Sequence, residues 1–227
     1  GLATDGDADR IGVFARGGFA PNANEMLALL LDHLASSRGW KGTVVRSVAT
    51  SHFVDAVARL HGSEVREVPV GFKWIAGVME EAPERFVIGG EESGGLTIRG
   101  HVPEKDGVLA CLLTAEMVAR RGQPLAAILE DLRARAGRIA SDRINVHYDP
   151  EKREELVTRV AAKPAEIAGR KVVEVNTMDG TKFLLEDGSW LMTRFSGTEP
   201  LLRLQAEADS PERARALLSA GQKLLPM

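Results

Sequence analysis

The sequence predicts an α/β fold: a parallel-sheet α/β domain followed by a smaller α+β domain with a mainly antiparallel sheet. Three observations predict it. Up to about residue 90, apolar runs of strand length alternate with stretches of helical period, the pattern of βαβ units. Two helical stretches then follow back to back. Beyond about residue 140, β-like runs succeed one another with only Asp-Gly turn signals between them, the pattern of antiparallel pairing.

The elements follow in order. Ile11-Gly12-Val13-Phe14 reads as a short strand leaving an acidic loop. Asn24 caps a predicted helix running to about Ser37, with Met26, Leu27, Leu30, Leu31 and Leu34 along it. Residues 43–48 form a strand, 51–60 a helix stopped by Gly62, 64–70 a strand, 72–81 a helix, and 86–88 a strand entering Gly89-Gly90. Helices are expected over 107–121 and 124–136. A β-like stretch at 138–148 and a helix at 150–162 open the second part. Strands at 171–177, 182–185, 190–195 and 201–208 follow, and Ser210 caps a last helix from Pro211. The boundary falls near 137–145.

Composition narrows the function. The 227 residues suffice for one large or two small domains, and 44% hydrophobic with 27% charged residues is ordinary for a soluble globular protein. A net charge of −3 argues against general nucleic-acid binding. One cysteine, Cys111, excludes an internal disulfide framework and suits a reducing cytoplasm. No apolar run reaches membrane-spanning length, and no signal peptide is visible at Gly1-Leu2-Ala3-Thr4. The chain does not begin with Met and is expected to be a fragment or processed form.

Four segments carry chemistry. In Asp5-Gly6-Asp7-Ala8-Asp9-Arg10, an extended backbone would put Asp5, Asp7 and Asp9 on one face, where they converge on a hard cation such as Mg²⁺, with Arg10 as a fork for a neighbouring phosphate. The alternative is a solvated acidic turn; an EF-hand is excluded because loop positions six and twelve hold Arg10 and Arg16. In Gly89-Gly90-Glu91-Glu92-Ser93-Gly94-Gly95, at the carboxyl end of a predicted parallel strand, Glu91 and Ser93 offer an acceptor and a hydroxyl to vicinal sugar hydroxyls, or the segment is a glycine-rich turn. In His101-Val102-Pro103-Glu104-Lys105-Asp106-Gly107, Lys105 serves phosphate or proton transfer, His101 is a candidate acid/base group, and Asp106 is a cap. In Arg194-Phe195-Ser196-Gly197-Thr198-Glu199-Pro200, an arginine, two hydroxyls and open backbone form a phosphate cradle, with Arg203 on the next strand. Lys73 is a further phosphate or sugar contact, beside Trp74, which is expected in the core. Ser51 of Thr50-Ser51-His52 is read as an N-cap, not a nucleophile.

Together these motifs resemble the α-D-phosphohexomutase family, the phosphoglucomutases and phosphomannomutases. Asp5–Arg10 is similar to its magnesium loop, Gly90–Gly94 to its sugar-recognition loop, and Arg194–Thr198 to its C-terminal phosphate loop. Val70–Lys73 and His101–Gly107 resemble substrate-contacting segments of the phosphoglucomutase branch and lean toward glucose. The resemblance implies three pieces: residues 1–20 as the tail of the second family domain, 21–137 as the third, α/β sugar-binding domain, and 138–227 as the fourth, phosphate-binding domain. It implies an isomerase that interconverts hexose 1-phosphate and hexose 6-phosphate through a phosphoserine and a bisphosphorylated sugar, with Mg²⁺. Implied catalytic groups are Arg10, Lys105 and His101; implied substrate contacts are Lys73, Glu91, Ser93, Arg194, Ser196, Gly197, Thr198 and Arg203; implied metal ligands are Asp5, Asp7 and Asp9. The family's Thr-Ala-Ser-His-Asn-Pro-like phosphoserine loop does not occur here; Ala49-Thr50-Ser51-His52-Phe53 lacks the Asn-Pro and follows the metal loop. The isolated chain is therefore expected to be inactive and to bind Mg²⁺ weakly, with the missing N-terminal domains of the same protein and hexose phosphates as its partners. Two alternatives stand beside this: a non-catalytic sugar-phosphate-binding module and an Asp-nucleophile phosphatase.

Overall fold

A computed structural model describes residues 1–160, 164–197 and 199–223. The chain divides into two compact units, Gly1–Gly137 and Arg138–Met227.

The first unit opens with an antiparallel ribbon, β1 (Leu2–Thr4) and β2 (Ile11–Val13), in the register Leu2↔Val13 and Thr4↔Ile11. Helix α1 (Ala23–Arg38) follows. Its cap is Asn22 rather than Asn24: the Asn22 side chain accepts from the Glu25 N–H, and the Glu25 carboxylate takes the Asn22 N–H in return. Glu25 stands three residues beyond Asn22, the spacing a reciprocal cap requires. Asn24 instead accepts the Ser51 N–H across the fold. Met26, Leu27, Ala28, Leu29, Leu30, Leu31 and Leu34 are all buried, so α1 is apolar around its whole circumference and forms the centre of the unit.

Strands β3 (Thr43–Ser47), β4 (Glu64–Val68), β5 (Phe86–Gly90) and β6 (Leu96–Ile98) form a sheet in the order β4-β3-β5-β6. β3 is parallel to both β4 and β5, and β6 returns antiparallel on β5. Helices α2 (Phe53–Leu60) and α3 (Phe72–Glu81) are the crossovers. β6 is invisible in the glycine-rich sequence around it because only three residues, Leu96, Thr97 and Ile98, carry it. Helices α4 (Gly107–Arg121) and α5 (Leu125–Ala136) complete the unit. Buried Asp32 of α1 ties the helices: it accepts from Arg121 at 2.6 Å and from both terminal nitrogens of Arg135, and lies 2.8 Å from His61 Nε2. Burial opposes its ionisation, but these partners hold its carboxyl below the ordinary range.

The second unit is a six-stranded antiparallel sheet: β7 (Ala140–His147), β8 (Glu166–Ile167), β9 (Arg170–Asn176), β10 (Thr181–Leu185), β11 (Trp190–Phe195) and β12 (Leu201–Ala208), in the order β7-β12-β11-β10-β9-β8. Between β7 and β8 a 3-10 turn at Pro150–Lys152 leads into α6 (Arg153–Val160). Helix α7 (Pro211–Lys223) packs on the sheet, closing a core of Phe183, Leu191, Leu204, Ala206, Ala214 and Leu217. The fold is thus a mixed α/β chain with a parallel-containing sheet and an antiparallel one.

Candidate functional site

In the first unit the strand order places β4 and β5 on opposite sides of β3, and it is at the carboxyl ends of such strands that open α/β sheets form a ligand crevice. Three loops meet there. Gly71, after β4, donates its N–H to Glu91 Oε1 at 2.8 Å, from a backbone at φ 127° that favours glycine. Glu91 is 7% exposed. Burial pushes its carboxyl up, against the Gly71 hydrogen bond, and the charge of Glu92 adds to the rise. Glu92 turns the other way: its Oε2 accepts from Ser47 Oγ at 2.8 Å and Thr50 Oγ1 at 3.4 Å, and its N–H donates to Thr50 Oγ1 at 3.1 Å. Ser93 is half-buried beside them. The capping reading of Ser51 takes a local form: its Oγ accepts the Phe53 N–H at 3.0 Å at the entrance to α2.

Lys73 is exposed on the first turn of α3, its ammonium 4.9 Å from the centroid of the Trp74 ring. Trp74, expected in the core, is 46% exposed. The buried stripe of α3 is Phe72, Ile75, Val78 and Met79, and a residue two positions from Phe72 falls on the opposite side of a helix.

The acidic loop is not extended, which corrects the expectation that Asp5, Asp7 and Asp9 share one face. The Ala8 N–H bonds to the Asp5 carbonyl at 3.1 Å, and Ala8 sits at φ 58°, so the chain turns. Asp5 Oδ1 accepts the N–H groups of Asp9 and Arg10 at 3.2 and 3.3 Å. Asp9 Oδ2 pairs with Lys105 Nζ at 2.6 Å, and the Arg10 Nε lies 3.6 Å from both Asp5 and Asp9. The hydrogen bond from Lys105 is the main reason the Asp9 carboxyl lies below its ordinary range. Among the described residues no group of three or more His, Cys, Asp or Glu is gathered to hold a metal. One atom of the loop is open to a hard cation: Asp9 Oδ1 is buried with no hydrogen-bond partner.

The loop is docked closely. The Gly107 N–H reaches the Ala8 carbonyl at 2.9 Å and the Ile11 N–H reaches the Gly94 carbonyl at 3.2 Å. A Cβ on Gly107 would stand 2.5 Å from the Arg10 carbonyl oxygen. The Lys105 stem lies across Gly95, where a Cβ would stand 2.4 Å from Lys105 Cδ. At the head of α4, Asp106 takes the Leu109 N–H on Oδ1 and His101 Nε2 on Oδ2, so one carboxylate caps the helix and orients the imidazole. The cap bond, more than His101, holds the Asp106 carboxyl low. The first unit thus brings Asp5, Asp9, Arg10 and Lys105 into one set and Glu91 against the Gly71 loop in another, with the 91–95 loop touching both.

In the second unit, Arg194 of β11 stands directly opposite Arg203 of β12, on the same face, with Arg203 in turn opposite Asn145 of β7. Asp179 holds the Arg194 Nε at 3.1 Å. The Ser196 N–H closes the turn on the Leu201 carbonyl at 2.8 Å, and Gly197 is exposed. Thr198 lies outside the described residues. Like charges facing each other across a ladder cost stability, and two guanidinium groups on one face form an anion-receptive arrangement.

The pairing of Ser47 with Thr50 is not among the motifs read from the sequence, where Thr50 appears only beside Ser51. A signal for it exists there: two hydroxyls three residues apart, straddling the end of an apolar strand.

The fold is that of an α/β unit with a mixed, parallel-containing sheet, together with a second unit built on an antiparallel sheet. The description "Phosphoglucomutase/phosphomannomutase, alpha/beta/alpha domain III" matches residues 22–136, and "Phosphoglucomutase/phosphomannomutase, C-terminal domain" matches residues 150–220. The chain belongs to the phosphoglucomutase/phosphomannomutase family and corresponds to a C-terminal portion of an α-D-phosphohexomutase. It is 32% identical, over 99% of its length, to a phosphoglucomutase/phosphomannomutase of Thermococcus kodakarensis, and 33% identical, over 91%, to a phosphoglucomutase of Komagataeibacter xylinus. It spans 46% and 40% of those two proteins, about half their length. A solved structure described as a phosphomannomutase, from Thermus thermophilus, superimposes with a TM-score of 0.81 at 36% identity, over 98% of this chain and 45% of that one. Among the described residues no helix is long and apolar enough to cross a membrane.

Proposed function

We propose that this chain is the sugar- and phosphate-binding portion of a cytoplasmic phosphohexomutase, which as a whole protein interconverts hexose 1-phosphate and hexose 6-phosphate. The observation that carries the reading is the 91–95 loop, tied to the loops after β3 and β4 at the switch point and in contact with the docked acidic loop.

Each group has a task the chemistry requires. Glu91 accepts hydrogen bonds from vicinal sugar hydroxyls, and Ser93 adds a hydroxyl beside it. Lys73 meets a phosphate at the crevice rim. Arg10 and Lys105 neutralise the phosphoryl oxygens, and His101, held by Asp106, moves a proton at the sugar hydroxyl. Phosphoryl transfer depends on such positioning and charge neutralisation more than on covalent chemistry by the protein. Arg194, Ser196, Gly197, Thr198 and Arg203 hold the phosphate that is not reacting. Asp5, Asp7 and Asp9 would hold Mg²⁺, which when bound supplies positive charge beside the transferring group. The phosphoryl donor is a phosphoserine outside these 227 residues. Its phosphate passes to the free sugar hydroxyl, the bisphosphorylated sugar reorients, and the other phosphate returns to the serine.

On its own the chain binds hexose phosphate without turning it over. Calorimetry with glucose 6-phosphate, beside a coupled assay with glucose 1-phosphate, tests this. Saturable binding that Glu91→Ala abolishes, with no turnover, is the expected result. Turnover by the chain alone, or no binding at all, overturns it. The same assay on the full-length protein, with glucose 1-phosphate against mannose 1-phosphate, decides the sugar.

A further inference from the structure

Glu91 and Glu92 are neighbours with one charge each, yet they face different partners. Glu91 spends one oxygen on the Gly71 N–H. Glu92 is turned back to the end of β3, where Ser47 Oγ lies 2.8 Å from its Oε2 and Thr50 Oγ1 lies 3.4 Å away. The two hydroxyls are themselves 2.8 Å apart, and Thr50 Oγ1 also receives the Glu92 N–H. Ser47 and Thr50 are each 0% exposed. Four polar groups therefore close on one another where the crevice floor is formed, and buried hydroxyls leave few alternative partners.

We propose that Glu92, through Ser47 and Thr50, is a positioning residue for sugar recognition. It fixes the loop that presents Glu91 and Ser93 and does not itself touch the ligand. The inference rests on the proposed sugar-binding role of that loop. Its physical content is that Glu92 acts as the acceptor that terminates the Ser47–Thr50 hydroxyl pair, not as a charge. Glutamine keeps an acceptor oxygen in the same place; alanine leaves both hydroxyls without it.

The test is calorimetric titration of the full 227-residue chain with glucose 6-phosphate and, separately, with inorganic phosphate. Wild type is compared with Glu92→Gln, Glu92→Ala, Ser47→Ala and Glu91→Ala. Glu92→Ala and Ser47→Ala are expected to weaken glucose 6-phosphate binding about tenfold, the equivalent of one well-made hydrogen bond to a charged group. Glu92→Gln is expected to stay within about twofold of wild type, and inorganic phosphate binding to stay unchanged in all of them. A purely structural lesion would lower both affinities together, and thermal unfolding of each variant reports it directly. Equal losses in Glu92→Gln and Glu92→Ala would overturn the proposal, because they would make the charge a ligand contact; so would a Glu92→Ala chain that binds like wild type. Failure of the underlying reading looks different: glucose 6-phosphate then binds no better than inorganic phosphate in wild type, and Glu91→Ala changes nothing.

Discussion

Two acidic loops of the first unit, Asp5–Arg10 and Glu91–Gly95, are built on opposite plans. The 91–95 loop is crowded and mostly buried: its carboxylates are each committed to a neighbouring loop, and the glycines leading into it leave no room for a side chain. The Asp5–Arg10 loop is exposed, apart from Asp9, and is held by its own turn, by backbone bonds to Gly94 and Gly107, and by one lysine. Around Gly6 there is no atom within 4 Å of where a Cβ would stand. A preformed loop suits a neutral, directional ligand such as a sugar hydroxyl, whose recognition demands fixed acceptors. An exposed run of carboxylates suits a cation that supplies its own organising charge.

The comparison breaks first at Gly89. A Cβ there would stand 2.4 Å from Ile75 Cγ2 and 2.8 Å from Phe86 Cζ, both core side chains. Gly89→Ala is expected to destabilise the first unit by about 1–3 kcal/mol, the usual cost of overpacking a core, as read from urea unfolding. If stability is unchanged, the crowded half of the comparison is wrong.

A smaller effect belongs to Glu91. Its folded carboxyl is raised above the ordinary value, so just above the ordinary carboxylate range the folded chain still holds a proton that the unfolded chain has released. Stability contributed by this group is therefore greatest below that window, falls as pH rises through it, and levels off once the raised value is passed. Glu91→Gln removes this dependence. Unfolding curves collected across that pH window for wild type and Glu91→Gln should converge at its acid end and separate at its alkaline end, the variant being the more stable there. Parallel curves would mean that burial does not tax this carboxylate.

Much of this architecture is legible in the sequence, and the exceptions share a cause. The alternation of strands and helices to residue 90, the helix over Gly107–Arg121 and the run of late strands follow from period and turn chemistry, which are local. Asn22 against Asn24 is decided by Glu25, a pairing visible in sequence but easily assigned to the nearer cap. Residue type alone puts Trp74 in the core, whereas its side of α3 is decided by which positions the sheet covers. The acidic loop departs from a straight course because alternate spacing fixes a shared face only in an extended chain, and Ala8 takes a left-handed corner that composition does not announce. The Ser47–Thr50–Glu92 set joins residues 45 positions apart, and only the parallel pairing of β3 with β5 makes them neighbours.

The smallest effect tests the open half of the comparison. Gly6 lies in the turn between Asp5 and Asp9, where motif reasoning would hold glycine indispensable. Its φ lies outside the left-handed range, that corner being taken by Ala8, and the space where a Cβ would point is empty. An alanine there meets neither strain nor collision, and it slightly reduces the freedom of the unfolded chain. Gly6→Ala is therefore expected to shift unfolding free energy by less than about 0.5 kcal/mol, and to leave the amide signals of Gly94 and Gly107 in place. A loss as large as that at Gly89 would show that the acidic loop is as tightly specified as the 91–95 loop. The contrast between a preformed and a cation-organised site would then fail.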